Sequence, residues 1–194
     1  SSTDKITNVG TVNVTGLESG ATWQYSTDNG ASWTEGTVTT IALTGEGANT
    51  VLIRQTDLAG NTSADGSYTF TVDTTAPTTT VSTVVFSSDT GTSGTDFITR
   101  TSAQTISGTL SASVATGEVV KVSLNNGGTW QTATTTVGAN TYSLSGVTLS
   151  GNNTLQVRVE DAAGNAGNAT TQAYILDTTA PTTTVSTVSF SNDT

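Results

Sequence analysis

The side chains here that can do chemistry are carboxylates and amides. There are 15 Asp and Glu against 5 Lys and Arg, with no His and no Cys, for a formal net charge of −10. Without His or Cys the usual nucleophile and base pairs are missing, and no Gly-rich phosphate loop follows a strand and opens a helix. Acid pairs for sugar hydrolysis can be assembled from any acidic loops, but these acids recur with a repeat, which argues for scaffold and against an enzyme. The charge disfavours a nucleic-acid backbone or an anionic membrane as partner and favours cations. Zinc is disfavoured without His or Cys, whereas Ca²⁺ accepts roughly six to eight oxygens in loose geometry.

Asp57-Leu-Ala-Gly60-Asn61 returns as Asp161-Ala-Ala-Gly164-Asn165, and Asp73, ahead of Thr-Thr-Ala-Pro77, returns as Asp177 ahead of Thr-Thr-Ala-Pro181. A further pair, Asp89 and Asp96, lies in a loop of Ser, Thr and Gly, with Asp193 and Asp4 as the two halves of its partner. Their spacing is not that of an EF-hand. A plain turn or strand-end cap accounts for each of these acids taken singly, since Asp, Gly and Asn are the ordinary turn residues.

The run from Asp73 to Ser87 returns from Asp177 to Ser191 with one change, Val85 to Ser189, so the chain is a piece of a tandem array. The expected division is a module lacking its first strand over 1–76, a complete module over 77–180, and the first strand of a following module over 181–194. Both prolines stand in the repeated segment, where a fixed φ and a missing donor suit a stiff junction. Reading Thr194 on to Ser1 regenerates the loop of Asp89 and Asp96. One period of a longer polymer is the expectation. Its partners would be neighbouring repeats of the same polypeptide, or like protomers joined head to tail by a donated strand, with no membrane insertion.

The elements that must position these residues are strands. Only 10% of residues are charged and 6% aromatic, and Thr, Ser, Gly, Val and Asn dominate, a mix that favours strands and turns. In the complete module seven runs qualify: 79–86, 104–110, 118–124, 129–136, 141–149, 154–160 and 170–176. Asn125-Asn-Gly-Gly128 and Asp28-Asn-Gly30 fit the positive φ of hairpin turns. Alternation in Leu155-Gln-Val157-Arg-Val159 predicts buried neighbours with Arg158, like Arg54, turned to solvent. Trp23, Trp33 and Trp130 read as rings that fill or flank small cores, and Tyr68 and Phe70 as packing; a carbohydrate platform is the other use for such rings. No apolar run approaches the ~20 residues that span a bilayer.

Seven short strands predict an all-β fold of Greek-key sandwich modules set end to end. In that topology the sixth-to-seventh and second-to-third loops share the pole at which the chain enters. Asp73, Glu118, Asp161 and Asn165 should therefore converge at the junction, and Glu18, Asp57 and Asn61 at the equivalent pole of the first module. Carboxylates crowded in this way repel unless a cation holds them. Ca²⁺ is the expected ion at the junction, and again in the loop of Asp89 and Asp96 at the opposite pole.

The Thr-Asp-x-Ile-Thr run, the hairpin from Trp23 to Trp33, the Arg-x-x-Asp-x-Ala-Gly-Asn loop and Asp-Thr-Thr-Ala-Pro together resemble the bacterial immunoglobulin-like extender repeats of giant type I-secreted adhesins, of the RTX and biofilm-associated kind. The resemblance covers nearly the whole chain. It implies an extracellular, cell-surface stalk that carries distal ligand-binding domains and is stiffened by calcium at Asp73, Asp177, Asp161, Asn165, Asp57 and Asn61. The second-to-third loop departs from equivalence, with Glu118 in one module and Glu18-Ser-Gly in the other. A module that binds a glycan or protein directly, and a matrix fibre joined by donated strands, are the other functions the sequence allows.

Overall fold

The computed structural model describes residues 3–189 and 191; the expectations placed on Phe190 and Asp193 lie outside the described residues. Every regular element among them is a strand. In the N-terminal half these are β1 (Ile6–Thr7), β2 (Thr11–Asn13), β3 (Thr22–Ser26), β4 (Thr34–Glu35), β5 (Thr40–Ala42), β6 (Gly47–Thr56) and β7 (Gly66–Val72). They pair in the order β1-β7-β6-β3-β4 in one sheet and β2-β5 in the other.

The C-terminal half has β8 (Val85–Phe86), β9 (Ile98–Thr99), β10 (Ala103–Thr109), β11 (Val119–Ser123), β12 (Gln131–Thr132), β13 (Thr134–Thr135), β14 (Thr141–Thr148), β15 (Asn153–Glu160) and β16 (Thr170–Leu176). Its sheets are β13-β14-β10-β8 and β12-β11-β15-β16-β9. The fold is thus all-β, two sandwiches in tandem.

Alternation sets each face. On β15, Leu155, Val157 and Val159 are buried while Gln156 and Arg158 point outward, and each such burial stabilises by about 1.5–3 kcal/mol. Val12, Val14, Trp23, Ile41, Val51, Phe70 and Val72 form one core. A separate and larger core runs from Val81 and Phe86 through Ile106, Val120, Val122 and Leu155 to Tyr174. The hairpin turns have the expected backbone, with Asn29 and Gly30 at φ of 59° and 89° and Asn126 and Gly127 at 55° and 86°.

Four expectations are corrected. The run 129–136 is not one strand: β12 pairs with β11 and β13 with β14, because Ala133 is drawn inward and carries the chain from one sheet to the other. A strand outside the seven expected runs, β9, adds in parallel to β16 through Ile98 and Ile175. Arg54 and Arg158 are not simply solvated; they lie 3.7 and 4.0 Å from the ring centroids of Trp33 and Trp130, where ring quadrupole and cation attract. Only Trp23 of the three tryptophans fills a core, and Tyr68 is 44% exposed.

Candidate functional site

The acidic residues are first of all turn formers. Asp57 Oδ1 accepts from the N–H groups of Ala59 and Asn61, both at 2.8 Å, and Asp161 Oδ1 accepts from Asn165 N–H at 2.8 Å. Asp4 and Asp96 each accept from the N–H two residues on, Ile6 at 3.1 Å and Ile98 at 3.0 Å, bracing a turn whose middle residue, Lys5 or Phe97, has a positive φ. Asp73 and Asp177 do the same for Thr75 and Thr179. These bonds are local, which is why the motif repeats as a unit.

Longer contacts assemble the junction. The Asn165 side-chain amide donates to Asp73 O at 2.7 Å and to Asp161 Oδ2 at 2.9 Å, so Asp73, Asp161 and Asn165 meet around one amide nitrogen. The loop of Glu118 leans on the same corner, since a methyl group on Gly117 would stand 3.2 Å from Ala162 Cβ. Glu118 itself turns back, accepting from Ala115 N–H at 2.8 Å. Gly167 packs so close to the Pro77 carbonyl that a Cβ there would sit 2.9 Å from the oxygen.

In the first module Glu18, Asp57 and Asn61 line one shallow recess of about 210 Å³ with Gln55, Thr62 and Ser63. Glu18 is tied there by its N–H to Gln55 Oε1 at 2.9 Å. The Asn61 side-chain amide, at 2.8 Å from Asp57 Oδ2, is the first cause that holds the Asp57 carboxyl below its ordinary pKa; hydrogen bonds to the ionised form favour it.

The loop of Asp89 and Asp96 lies beside Asp177, whose N–H donates to Thr99 O at 2.9 Å. Asp73 N–H donates to Thr7 O in the same way, also at 2.9 Å. The loop at the far pole of a module is therefore next to the residue that opens the following junction. Asp89 Oδ2 accepts from Phe97 N–H at 2.9 Å, while Asp89 Oδ1 is buried with no hydrogen-bond partner. A buried carboxylate oxygen is ordinarily satisfied by a donor or a cation, so Asp89 is the acid of this loop with an oxygen to spare. Among the described residues no three acidic side chains gather closely enough to hold a metal by themselves. An ion at any of these places has to draw on amide, hydroxyl and carbonyl oxygens too.

Glu46 was not legible in the sequence as a junction residue. Its carboxylate accepts from the Thr74 hydroxyl at 2.8 Å and the Thr74 N–H at 3.1 Å, and the Thr74 hydroxyl is the leading cause that lowers its pKa. The position 104 residues on is Ser150, so a search for recurring acids passes over it.

The family profile described as Bacterial Ig-like domain matches residues 75–178. Among solved structures, the chain is similar to one described as the D00-D0 domain of Intimin, at 15% identity over 89% of this chain and 95% of that one, with a TM-score of 0.29. Comparison with curated proteins returns no match.

Proposed function

Because the chain belongs to the bacterial Ig-like domain family, we propose that it is a structural extender segment of a bacterial cell-surface adhesin. In this reading the modules have no catalytic role, stand outside the cell, and space a distal ligand-binding region away from the surface. The giant type I-secreted, biofilm-associated adhesins are the kind of parent its repeated motifs fit. The observation that carries it is the junction. A linker of four residues, Thr74 to Pro77, is held by a side chain of the following module, Asn165, at 2.7 Å from Asp73 O. Such a link suits a spacer, because it restricts the swing of one module against the next.

Calcium is the proposed stiffener. The residues that would hold it are Asp161, Asn165 and Asp73 at the junction, Glu18, Asp57 and Asn61 in the first module, and Asp89 and Asp96 in the far loop, where an unpartnered Asp89 oxygen supports the assignment. When bound, the ion supplies positive charge among carboxylates. Binding to the folded state alone stabilises it by about 2.7 kcal/mol at a hundredfold excess over Kd.

The test is small-angle scattering and calorimetry with calcium and with chelator. The expected result is millimolar or tighter binding, weakened by Asp161→Ala, with a longer and narrower distance distribution when calcium is present. Absence of binding at millimolar calcium would sink the cation; a flexible chain in both conditions would sink the spacer.

A further inference from the structure

Asn-Gly occurs twice in the sequence, as Asn29-Gly30 and Asn126-Gly127. Each pair stands at the exposed tip of a hairpin, β3–β4 in the first module and β11–β12 in the second. The dipeptide can react with itself. Glycine has no Cβ to shield its nitrogen, which can therefore reach the amide carbon of the preceding Asn when the turn opens.

Both hairpins hold the nucleophile in the same way. Gly30 N–H donates to Ser26 Oγ at 2.8 Å and Gly127 N–H to Ser123 Oγ at 2.9 Å, and neither nitrogen attacks until that bond is released.

The electrophile is held in one hairpin and not in the other. Asn126 Oδ1 accepts from Gln156 Nε2 at 2.9 Å, a side chain of β15 whose backbone pairs with Ser123. The partner of Ser26 on β6 is Leu52, an aliphatic side chain with no donor to give. The two side chains occupy the same place: a Cβ on Gly127 would stand 3.0 Å from Gln156 Oε1, and one on Gly30 would stand 3.7 Å from Leu52 Cδ1.

We propose that Asn29 is a site of spontaneous deamidation and that Asn126 is its guarded counterpart. Gly30 N bonds to Asn29 Cγ and gives up its proton to water, while the Cγ–Nδ2 bond breaks and that nitrogen leaves as ammonia. The product is a cyclic imide. Water then adds to one of the two imide carbonyls, the C–N bond to that carbon breaks and the nitrogen regains a proton. An aspartyl or isoaspartyl residue results, with no change of oxidation state. Gln156 opposes the first step in the second module, because the amide it holds must turn to bring Cγ onto the glycine nitrogen. Water donates to an open Asn29 carbonyl as Gln156 does to Asn126, so polarisation is shared and restraint is the difference. One net hydrogen bond is worth a factor of roughly two to ten in such a population. Either product places a new carboxylate beside Asp28, and the isoaspartyl form adds a backbone carbon to the turn that Asp28 and Ser32 close. The reaction depends on neither calcium nor the spacer role.

The test is peptide mapping by mass spectrometry after the 194-residue chain has stood for weeks in mildly alkaline buffer, folded and in urea, with released ammonia and isoaspartate assayed alongside. In the folded chain the amide-to-acid mass gain should appear at Asn29 at least about threefold faster than at Asn126. In urea, where the Gln156 tether is gone, the two rates should be equal. Leu52→Gln should slow Asn29 and Gln156→Leu should speed Asn126; both side chains lie outside the two cores, so the variants keep their folds. An Asn29 that stays intact in the folded chain, a folded Asn126 that reacts as fast, a difference that persists in urea, or exchanged side chains that leave both rates unchanged would each overturn the assignment.

Discussion

Trp23 lies against Gly36, so close that a methyl group on Gly36 would stand 1.9 Å from the ring atom Cε2, and the two residues are joined by a hydrogen bond from Gly36 N–H to Trp23 O at 2.9 Å. The second module makes the same bond from Ala133 to Val120, also at 2.9 Å. A large ring stands with glycine in one module and a small aliphatic with alanine in the other, so the residue that donates the hydrogen bond gives up its methyl where the ring needs the room.

Gly36→Ala should accordingly destabilise the first module by about 1–3 kcal/mol, the usual cost of overpacking. In a Trp23→Val background, which carries its own cavity cost, the added cost of Gly36→Ala should shrink, because the ring that the new methyl group meets is gone. Urea denaturation of the single and double variants checks this. A Gly36→Ala chain as stable as the parent would show that the ring moves aside without cost.

Phe86→Ala removes an aromatic side chain buried in the second core, edge-on to Phe97 and Tyr174. The expected loss is about 3–5 kcal/mol in that module, with the first module, whose core contains none of the residues touched, melting as before. Calorimetry separates the two transitions. Equal loss from both would mean that the modules unfold as one unit.

Asn165→Ala deletes the donor to Asp73 O and Asp161 Oδ2. Each such bond contributes about 0.5–1.5 kcal/mol net, so the second module should lose roughly 1–2 kcal/mol and the amides of Thr74 and Thr75 should exchange faster. Unchanged exchange there would show that Pro77 and its packing hold the linker without the amide.

Asp28 provides a pH test. Its carboxylate accepts from the Ser32 hydroxyl at 2.5 Å, the Ser32 N–H at 2.9 Å and the Ser26 hydroxyl at 2.7 Å. Together, with the Ser32 hydroxyl foremost, these lower its pKa from 3.8 to about 2. A folded value below the unfolded one means that the stabilisation is complete above about pH 4 and is lost as the pH falls through 2. Carboxyl carbon NMR should place the Asp28 midpoint near 2, and Ser32→Ala should raise it. The second module has Asn125 in this role, accepting from Thr129 N–H at 2.8 Å, so its turn should not respond to acid. A midpoint near 4 would mean the Ser32 bonds are not formed in solution.

Much of this molecule was legible from residue order. Alternation marks β15, the Asn-Gly pairs mark the hairpins, and the repeat marks which acids belong together, because each of these signals acts over a few residues or is copied from one module to the next. The turn-forming roles of Asp57, Asp161, Asp4 and Asp96 are of that kind, reaching only two to four residues along the chain. Other features are absent from any local window. The sheet switch at Ala133, the parallel addition of Ile98 beside Ile175, the Arg54 and Arg158 side chains laid on tryptophan rings, and the seat of Glu46 beside Thr74 all depend on segments brought together by core packing. Asn165 shows the divide most plainly. Its bond to Asp161 spans four residues and follows from turn chemistry, whereas its bond to Asp73 spans 92 and exists because packing of the second core brings the turn between β15 and β16 to the corner where the chain enters that module.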